Sequence, residues 1–268
     1  MNDRQISLAQ AISMIDDGSS LAFGGNTFHR SPSVFAMALA LQRKKRLTII
    51  KTAGAFEVDI LCSLGCVKTV LAGYIGYENE YGLASFFRQA VEKGEVQVVE
   101  HACYTVITGL RAATYGLPFL PVAGLEGSDL VSTQDFREII DPYTYERFYA
   151  IPAIKPDWGI IHVQEADQEG NCRIQGSKFE DPLIARAANK LLITTEKIVP
   201  ENSFVDNPSL TDIPGFLVSG VIEIPKGASP GTCTPHYGID HHFLKTFKGC
   251  QNQEDIINLI GEKGREVF

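Results

Sequence analysis

The chain has 268 residues, 44% hydrophobic and 21% charged, enough to bury a sizeable core in one large domain or two small ones. A net charge of -8 and a pI near 5.3 argue against a nucleic-acid partner, because phosphate contacts need clustered Lys and Arg. No apolar run approaches the roughly 20 residues that span a bilayer, and the N-terminus MNDRQISLAQAISMI lacks the basic end and apolar stretch of a signal peptide. The six cysteines (62, 66, 103, 172, 233 and 250) are scattered without a CxxC pair, so a cytoplasmic protein with free thiols is expected, away from any membrane.

Ser7 caps a predicted helix over 7–16, with Leu8, Ile12 and Ile15 at helical spacing up to the Asp17-Gly18 turn. Leu21-Ala22-Phe23 is a short strand that runs into Gly24-Gly25, and Pro32 opens the helix VFAMALALQRKK. The strand LTIIKTA (47–53) follows, then the helix VDILCSLG and the strand KTVLAGYIG (68–76). A helix over 83–93, the strand VQVVEHA (96–102), a helix over 104–115 and the strand PFLPVA continue the alternation. Residues 126–149 show no clear periodicity and read as a lid or a partner-binding segment. DWGIIHVQEAD is then a buried strand around Ile160, Ile161 and Val163, LIARAANK a helix, LLITTEKI a strand, and FLVSGVIEIP the last strand before C-terminal helices. The alternation predicts an α/β fold, a mostly parallel open sheet covered by helices on both faces. With no internal repeat and no convincing linker, 1–268 reads as a single domain. Ligands of such sheets sit at the carboxyl ends of the strands, where the loop GGNTFHRSP (24–32) falls.

Paired glycines after a strand bring backbone close to a ligand, or merely make a tight turn. GGN lacks the third glycine of a dinucleotide fingerprint, and no acidic residue ends LTIIKTA, so a nicotinamide enzyme is disfavoured. Cys233, His236, His241 and His242 are spaced C-x2-H-x4-H-H, which matches no zinc pattern, and no metal is expected. Gly127-Ser128-Asp129 lacks the second glycine of a nucleophile elbow. Cys103, just after VQVVEHA and near His101, is the one thiol placed for chemistry, a buried structural role being the alternative. Glu100 and His162 are further rim candidates, each near a strand end.

Asp17-Gly18, the apolar LAF, Gly24-Gly25 and Pro32 together resemble the N-terminal signature of class I coenzyme A transferases. Asn26 stands where that pattern has Phe and Arg30 where many members have Gly; the Arg30-Ser31-Pro32 variant is similar to α subunits of the glutaconate CoA-transferase branch. GLPFLPV (116–122), IIHVQEADQEGNCRIQGSKFED (160–181) and TDIPGFLVSGVIEIPKGASPGTCTPHYGID (211–240) resemble the same subunits in order and spacing, so the likeness spans nearly the whole chain. Family members often carry a His after the Gly-Ala pair, where this chain has Ser229 after Gly227-Ala228.

The resemblance implies a CoA-transferase/NagB-like fold and covalent catalysis by a glutamate carboxylate, passing through a mixed anhydride and a glutamyl-CoA thioester. That glutamate belongs to a Ser-Glu-Asn-Gly-like motif of the β half. Here Glu78-Asn79 is followed by Glu80, and Glu126-Gly127 lacks the residue between, so no catalytic nucleophile is expected on this chain. The implied protein is an α subunit that needs a separate β subunit, in a heterodimer or heterotetramer. It would move CoA between a small, dicarboxylic or branched, acyl group and an acceptor acid. Coenzyme A enters as part of the substrate, and no tightly bound cofactor is expected. Gly24, Gly25 and Asn26 would offer backbone N–H groups to a thioester or anhydride oxygen, and Arg30 would grip a carboxylate or make a structural salt bridge. Relatives that hydrolyse an acyl-CoA carry an α-chain carboxylate where Cys103 stands here, while relatives that decarboxylate one remain compatible. A non-catalytic ligand-binding protein of the same fold is the third alternative.

Overall fold

Parallel strands buried on both faces need nearly continuous apolar runs, and three segments supply them: Leu47–Gly54, Trp158–Ala166 and Lys190–Ile198. The computed structural model describes residues 3–267, with side chains to Lys263. Its strands are β1 (Ser20–Phe23), β2 (Leu47–Gly54), β3 (Val67–Ile75), β4 (Gln97–Glu100), β5 (Phe119–Val122), β6 (Arg137–Ile140), β7 (Arg147–Pro152), β8 (Trp158–Ala166), β9 (Cys172–Arg173), β10 (Lys190–Ile198) and β11 (Gly220–Glu223). The helices are α1 (Leu8–Ser13), α2 (Ser33–Leu41), α3 (Phe56–Ser63), α4 (Glu78–Tyr81), α5 (Ser85–Glu92), α6 (Cys103–Thr114), α7 (Leu130–Thr133), α8 (Asp181–Ala187), α9 (Asn202–Val205), α10 (His241–Gly249) and α11 (Gln253–Val267).

The main sheet runs β11-β10-β8-β1-β2-β3-β4 with every neighbouring pair parallel, and short β9 lies antiparallel on the end of β8. Alternate strand residues divide between two cores. Leu21, Phe23, Ile49, Ile160, Leu192 and Ile222 face α2, α3, α5 and α10. Ala22, Ile50, Ile161, Ile193 and Val221 face α6 and α8. The mostly parallel sheet with helices on both faces is therefore as expected. Ser7 and Gln10 form a reciprocal capping box that starts α1, the Gln10 carboxamide accepting the Ser7 N–H at 2.8 Å. Helix α2 is buried from Ser33 to Ala40 because α1, α3 and α11 cover the side turned away from the sheet.

PFLPVA forms a strand, but of a second, antiparallel sheet ordered β5-β7-β6 over Val122, Leu125, Phe136, Tyr149 and Ile151. The aperiodic segment 126–149 is thus mostly α7 and the β6–β7 hairpin. Its pattern is hidden because β6 exposes three of four residues, and because the turn uses the Asp141 carboxylate, accepting the Tyr143 N–H at 2.8 Å, instead of a glycine. FLVSGVIEIP shortens to Gly220–Glu223, since Gly215–Leu217 coil into a 3-10 turn.

From β1 the chain builds outward through β2, β3 and β4 on one side; β8, β10 and β11 then fill the other. The carboxyl end of β1 is consequently the point where strand order reverses, the place where such sheets open a crevice. The C-terminal helices brace this frame through Phe56, whose ring meets Phe247 edge-on at 4.9 Å and Phe243 at 5.8 Å between centroids. Phe56→Ala is expected to cost about 3–5 kcal/mol, seen as a lowered urea midpoint with an unchanged m-value.

Candidate active site

At the switch point the Gly24 N–H still donates to Ile160 of β8 at 2.8 Å, and then the backbone turns so that three successive carbonyls converge. Those of Phe23, Gly24 and Gly25 accept from Lys51 Nζ at 3.2, 2.5 and 2.9 Å, with Ser31 Oγ at 3.3 Å. Lys51 lies mid-strand in β2, only 2% exposed, and Glu57 of α3 stands 3.5 Å from its ammonium. A buried ammonium is costly unless it is paired and hydrogen-bonded; these partners meet both conditions.

The opposite side of the loop is held by Asp181, the first residue of α8. Its Oδ1 accepts the Gly25 N–H at 2.7 Å and its Oδ2 accepts Arg30 Nη1 at 2.7 Å. Arg30 also donates to the His162 carbonyl at 2.9 Å and the Ser177 carbonyl at 2.7 Å. Arg30 and Asp181 are 4% and 0% exposed, a desolvated ion pair inside the chain. Both glycines are needed for this close approach. A Cβ on Gly24 would sit 2.6 Å from Asp181 Oδ1; Gly25 has φ +69°, and its Cβ would sit 2.4 Å from the His29 carbonyl oxygen.

This geometry corrects the expected role of the loop. The N–H groups of Gly24, Gly25 and Asn26 are bonded to Ile160, Asp181 and the His29 carbonyl, the last at 2.9 Å, so none faces an incoming oxygen. Of the two roles left open for Arg30, the structure shows the salt bridge, with its fork directed at Asp181 and two carbonyls.

His162 is fully buried in β8. Its imidazole joins Thr194 Oγ1 through Nδ1 at 2.9 Å and Glu196 Oε1 through Nε2 at 2.7 Å, both on β10. The Tyr237 hydroxyl donates to Glu196 Oε1 at 2.5 Å and accepts the Ala228 N–H at 3.0 Å, and the Lys226 N–H donates to Glu196 Oε2 at 2.7 Å. Burial alone would raise the Glu196 pKa, but His162, Tyr237 and the Lys226 N–H together hold it below the ordinary carboxylate value. Cys233 joins this cluster: burial pushes its thiol up to about 12, with the Glu196 charge adding to the rise. The donor atoms of His162, Glu196 and Cys233 lie within 4.8 Å of one another, a set that sequence spacing did not indicate. Each His162 nitrogen and each Glu196 oxygen already has a hydrogen bond, so the trio reads as a brace tying the 226–237 segment to the sheet. His241, expected beside Cys233 in the same motif, instead meets the Tyr81 hydroxyl at 2.6 Å.

Cys103 is exposed at the first position of α6, its Sγ donating to the Thr52 carbonyl at 3.3 Å. Burial and then the Glu180 charge raise its pKa, which disfavours the thiolate needed for attack. Glu180 Oε2 accepts the Thr52 hydroxyl at 2.9 Å, so Cys103, Thr52 and Glu180 meet at the carboxyl end of β2. Glu100 ends the edge strand β4, exposed. Beside it His101 is buried against the Thr105 hydroxyl at 2.9 Å and the Phe136 ring, and burial lowers its pKa to about 4. Lys51, Glu57, Glu180 and Asp181 were not singled out from sequence. The one available signal was a lone charge inside the β-branched strand LTIIKTA.

A doubly covered parallel sheet whose switch-point loop is locked by buried charges defines an α/β protein with one edge prepared for ligand. The coenzyme A transferase family model matches residues 5–223, and the chain belongs to that family. One of the subunits of glutaconate CoA-transferase from Acidaminococcus fermentans is 31% identical over 259 residues, covering 90% of this chain and 81% of the relative. An uncharacterized protein of Archaeoglobus fulgidus is 35% identical over 257 residues; the match takes in 95% of this chain, which spans only 58% of that relative's length. The crystal structure of glutaconate coenzyme A-transferase from Acidaminococcus fermentans superposes with a TM-score of 0.90 at 30% identity, covering 97% of this chain and 88% of that one. No helix among the described residues is long and apolar enough to cross a membrane.

Lys51→Met leaves three inward carbonyls and Glu57 without their cation, and is expected to lower the unfolding free energy by about 3–5 kcal/mol in urea titration. His101 supplies a pH test. Between pH 6.5 and about 4 the unfolded chain binds a proton that the folded imidazole does not, so this group's contribution to stability falls as pH is lowered through that window. His101→Gln is expected to remove that component, read as a smaller drop in urea midpoint between pH 7 and pH 5.

Proposed function

We propose that this chain is the α subunit of a heteromeric CoA-transferase, moving CoA between a small acyl group and an acceptor acid with the nucleophilic glutamate supplied by a β subunit. One observation carries the reading: the carboxylates that build the site are already committed. Asp181 is bound to Arg30 and Gly25, Glu57 to Lys51, and Glu196 to His162, Tyr237 and the Lys226 N–H. A nucleophile must have free lone pairs aimed at the thioester, and these three are turned into the fold. Family membership and the likeness to one chain of a two-chain glutaconate enzyme support the same division of labour.

In the reaction so assigned, the partner's carboxylate attacks the acyl-CoA carbonyl and expels the CoA thiolate, leaving a mixed anhydride. The thiolate then attacks the enzyme-side carbonyl, forming glutamyl-CoA and releasing the first acid; the acceptor acid reverses both steps. This chain contributes a floor. Lys51 and Arg30 act as positioning residues that fix the Gly24-Gly25 turn, so that substrate and partner meet a surface that need not reorganise. Coenzyme A enters and leaves as part of the substrate.

Mixing the purified chain and labelled acyl-CoA with its β-type partner, then mapping the thioester by mass spectrometry after borohydride reduction, tests the assignment. The modification is expected on a glutamate of the β chain, with label exchange into acetate that needs both chains. A thioester on Glu180 of this chain, or release of free CoA or carbon dioxide without exchange, would overturn it.

A further inference from the structure

In the transferase reading, on which this inference rests, the acyl group lies along the carboxyl edge of β1 and β2, and the groups that this chain turns toward it are few. The nearby cations are engaged: Arg30 with Asp181, Lys51 with the loop carbonyls, and Lys178 with Asp212. Glu180 differs, being half-buried, and among the described residues its carboxylate takes one hydrogen bond, from Thr52. The hydrogens beside it are directed elsewhere, since the Thr52 hydroxyl donates to Glu180 itself and the Cys103 thiol donates to the Thr52 carbonyl. This corner therefore offers an anion a negative charge and no donor from either side chain.

The preceding residue points the same way. Phe179 has φ +47°, a conformation that bulky side chains rarely adopt. Its ring is 38% exposed, stacked on His29 with centroids 6.3 Å apart and with the Arg30 guanidinium carbon 5.8 Å from its centre. Strained backbone that holds an aromatic face open beside an unneutralised carboxylate is better explained by contact with a ligand than by packing.

We propose that Phe179 and Glu180 are specificity-determining residues. Phe179 provides an apolar shelf for the acyl chain, and Glu180 turns away acyl groups that bear a second carboxylate at this corner. Discrimination by a repulsive charge is effective here because two like charges a few ångströms apart in a partly desolvated cleft are poorly screened. Of the dicarboxylic and branched acyl classes that the sequence left open, this chain selects the uncharged one, short or branched.

The test uses the complex of this chain with its β-type subunit. The ratio of kcat/KM for isobutyryl-CoA over glutaryl-CoA, with acetate as acceptor, is measured for the wild-type complex, Glu180→Gln and Phe179→Ala. Equilibrium dialysis of the same two thioesters gives a binding ratio that needs no turnover. Wild type is expected to favour isobutyryl-CoA by about tenfold or more, equivalent to ~1.4 kcal/mol. Glu180→Gln should shrink that ratio about tenfold, while Phe179→Ala should weaken isobutyryl-CoA more than glutaryl-CoA. Exchange that proceeds with both ratios unmoved by Glu180→Gln overturns this inference and leaves the transferase reading standing. Absence of exchange, with the binding ratio shifted as expected, overturns the transferase reading and upholds the selectivity. A wild-type preference for glutaryl-CoA in both measurements also overturns the inference, and because Phe179→Ala probes the shelf separately, a poorly folded Glu180→Gln would not shield it.

Discussion

The turn out of β1 depends on two buried charges acting on opposite sides of one peptide ribbon. A chain that leaves a central strand inside a covered sheet must find partners for backbone groups that the ladder no longer satisfies. Lys51 takes the carbonyls of Phe23, Gly24 and Gly25, while Asp181 takes the Gly25 N–H and is neutralised by Arg30. Each charge would be costly alone in this interior. Together they fix the turn in one conformation, and only glycine leaves room for the approach.

The residues that accomplish this come from separate elements, so the clamp also assembles the carboxyl edge. Lys51 belongs to β2, Asp181 to α8, and the carbonyl that receives Arg30 to His162 of β8. From His162 the polar framework continues through Glu196 to Tyr237 and Ala228, tying β10 and the 226–237 segment to the same point. The chain's internal charges are used to build the site, and the open carboxylate of Glu180 sits at its margin. Such a half-site suits a family in which catalysis is divided between polypeptides.

Much of the architecture was legible because it rests on short-range pattern. LTIIKTA, DWGIIHVQEAD and LLITTEKI carry the apolar runs that parallel, doubly covered strands require, and each is a strand of the main sheet. The second sheet was not legible. In β6 the residues Arg137, Glu138 and Ile140 are exposed, and a strand over so small a core need not alternate cleanly. The site was legible in place but not in mechanism. Gly24, Gly25, Arg30 and His162 come together as their strand ends suggested, yet the loop N–H groups turn inward, because Asp181, 156 positions from Gly25, reaches one of them. Cys103 was noticed as a thiol near a strand end, whereas Glu180, which sets its electrostatic surroundings, was passed over as part of a run.

The sequence by itself determined the alternation of strands and helices, the glycine loop at a carboxyl edge, the family, and the lack of a recognisable nucleophile motif. These follow from periodicity, turn chemistry and local motif, which act over a few neighbouring residues. Tertiary structure alone decided which charges pair, that Lys51 faces carbonyls instead of solvent, that Arg30 is an internal ion pair, and that Glu180 is left open beside Phe179. The physical reason is that burial and electrostatic pairing depend on distances across the fold. Arg30 and Asp181 are 151 positions apart in the chain and 2.7 Å apart in space.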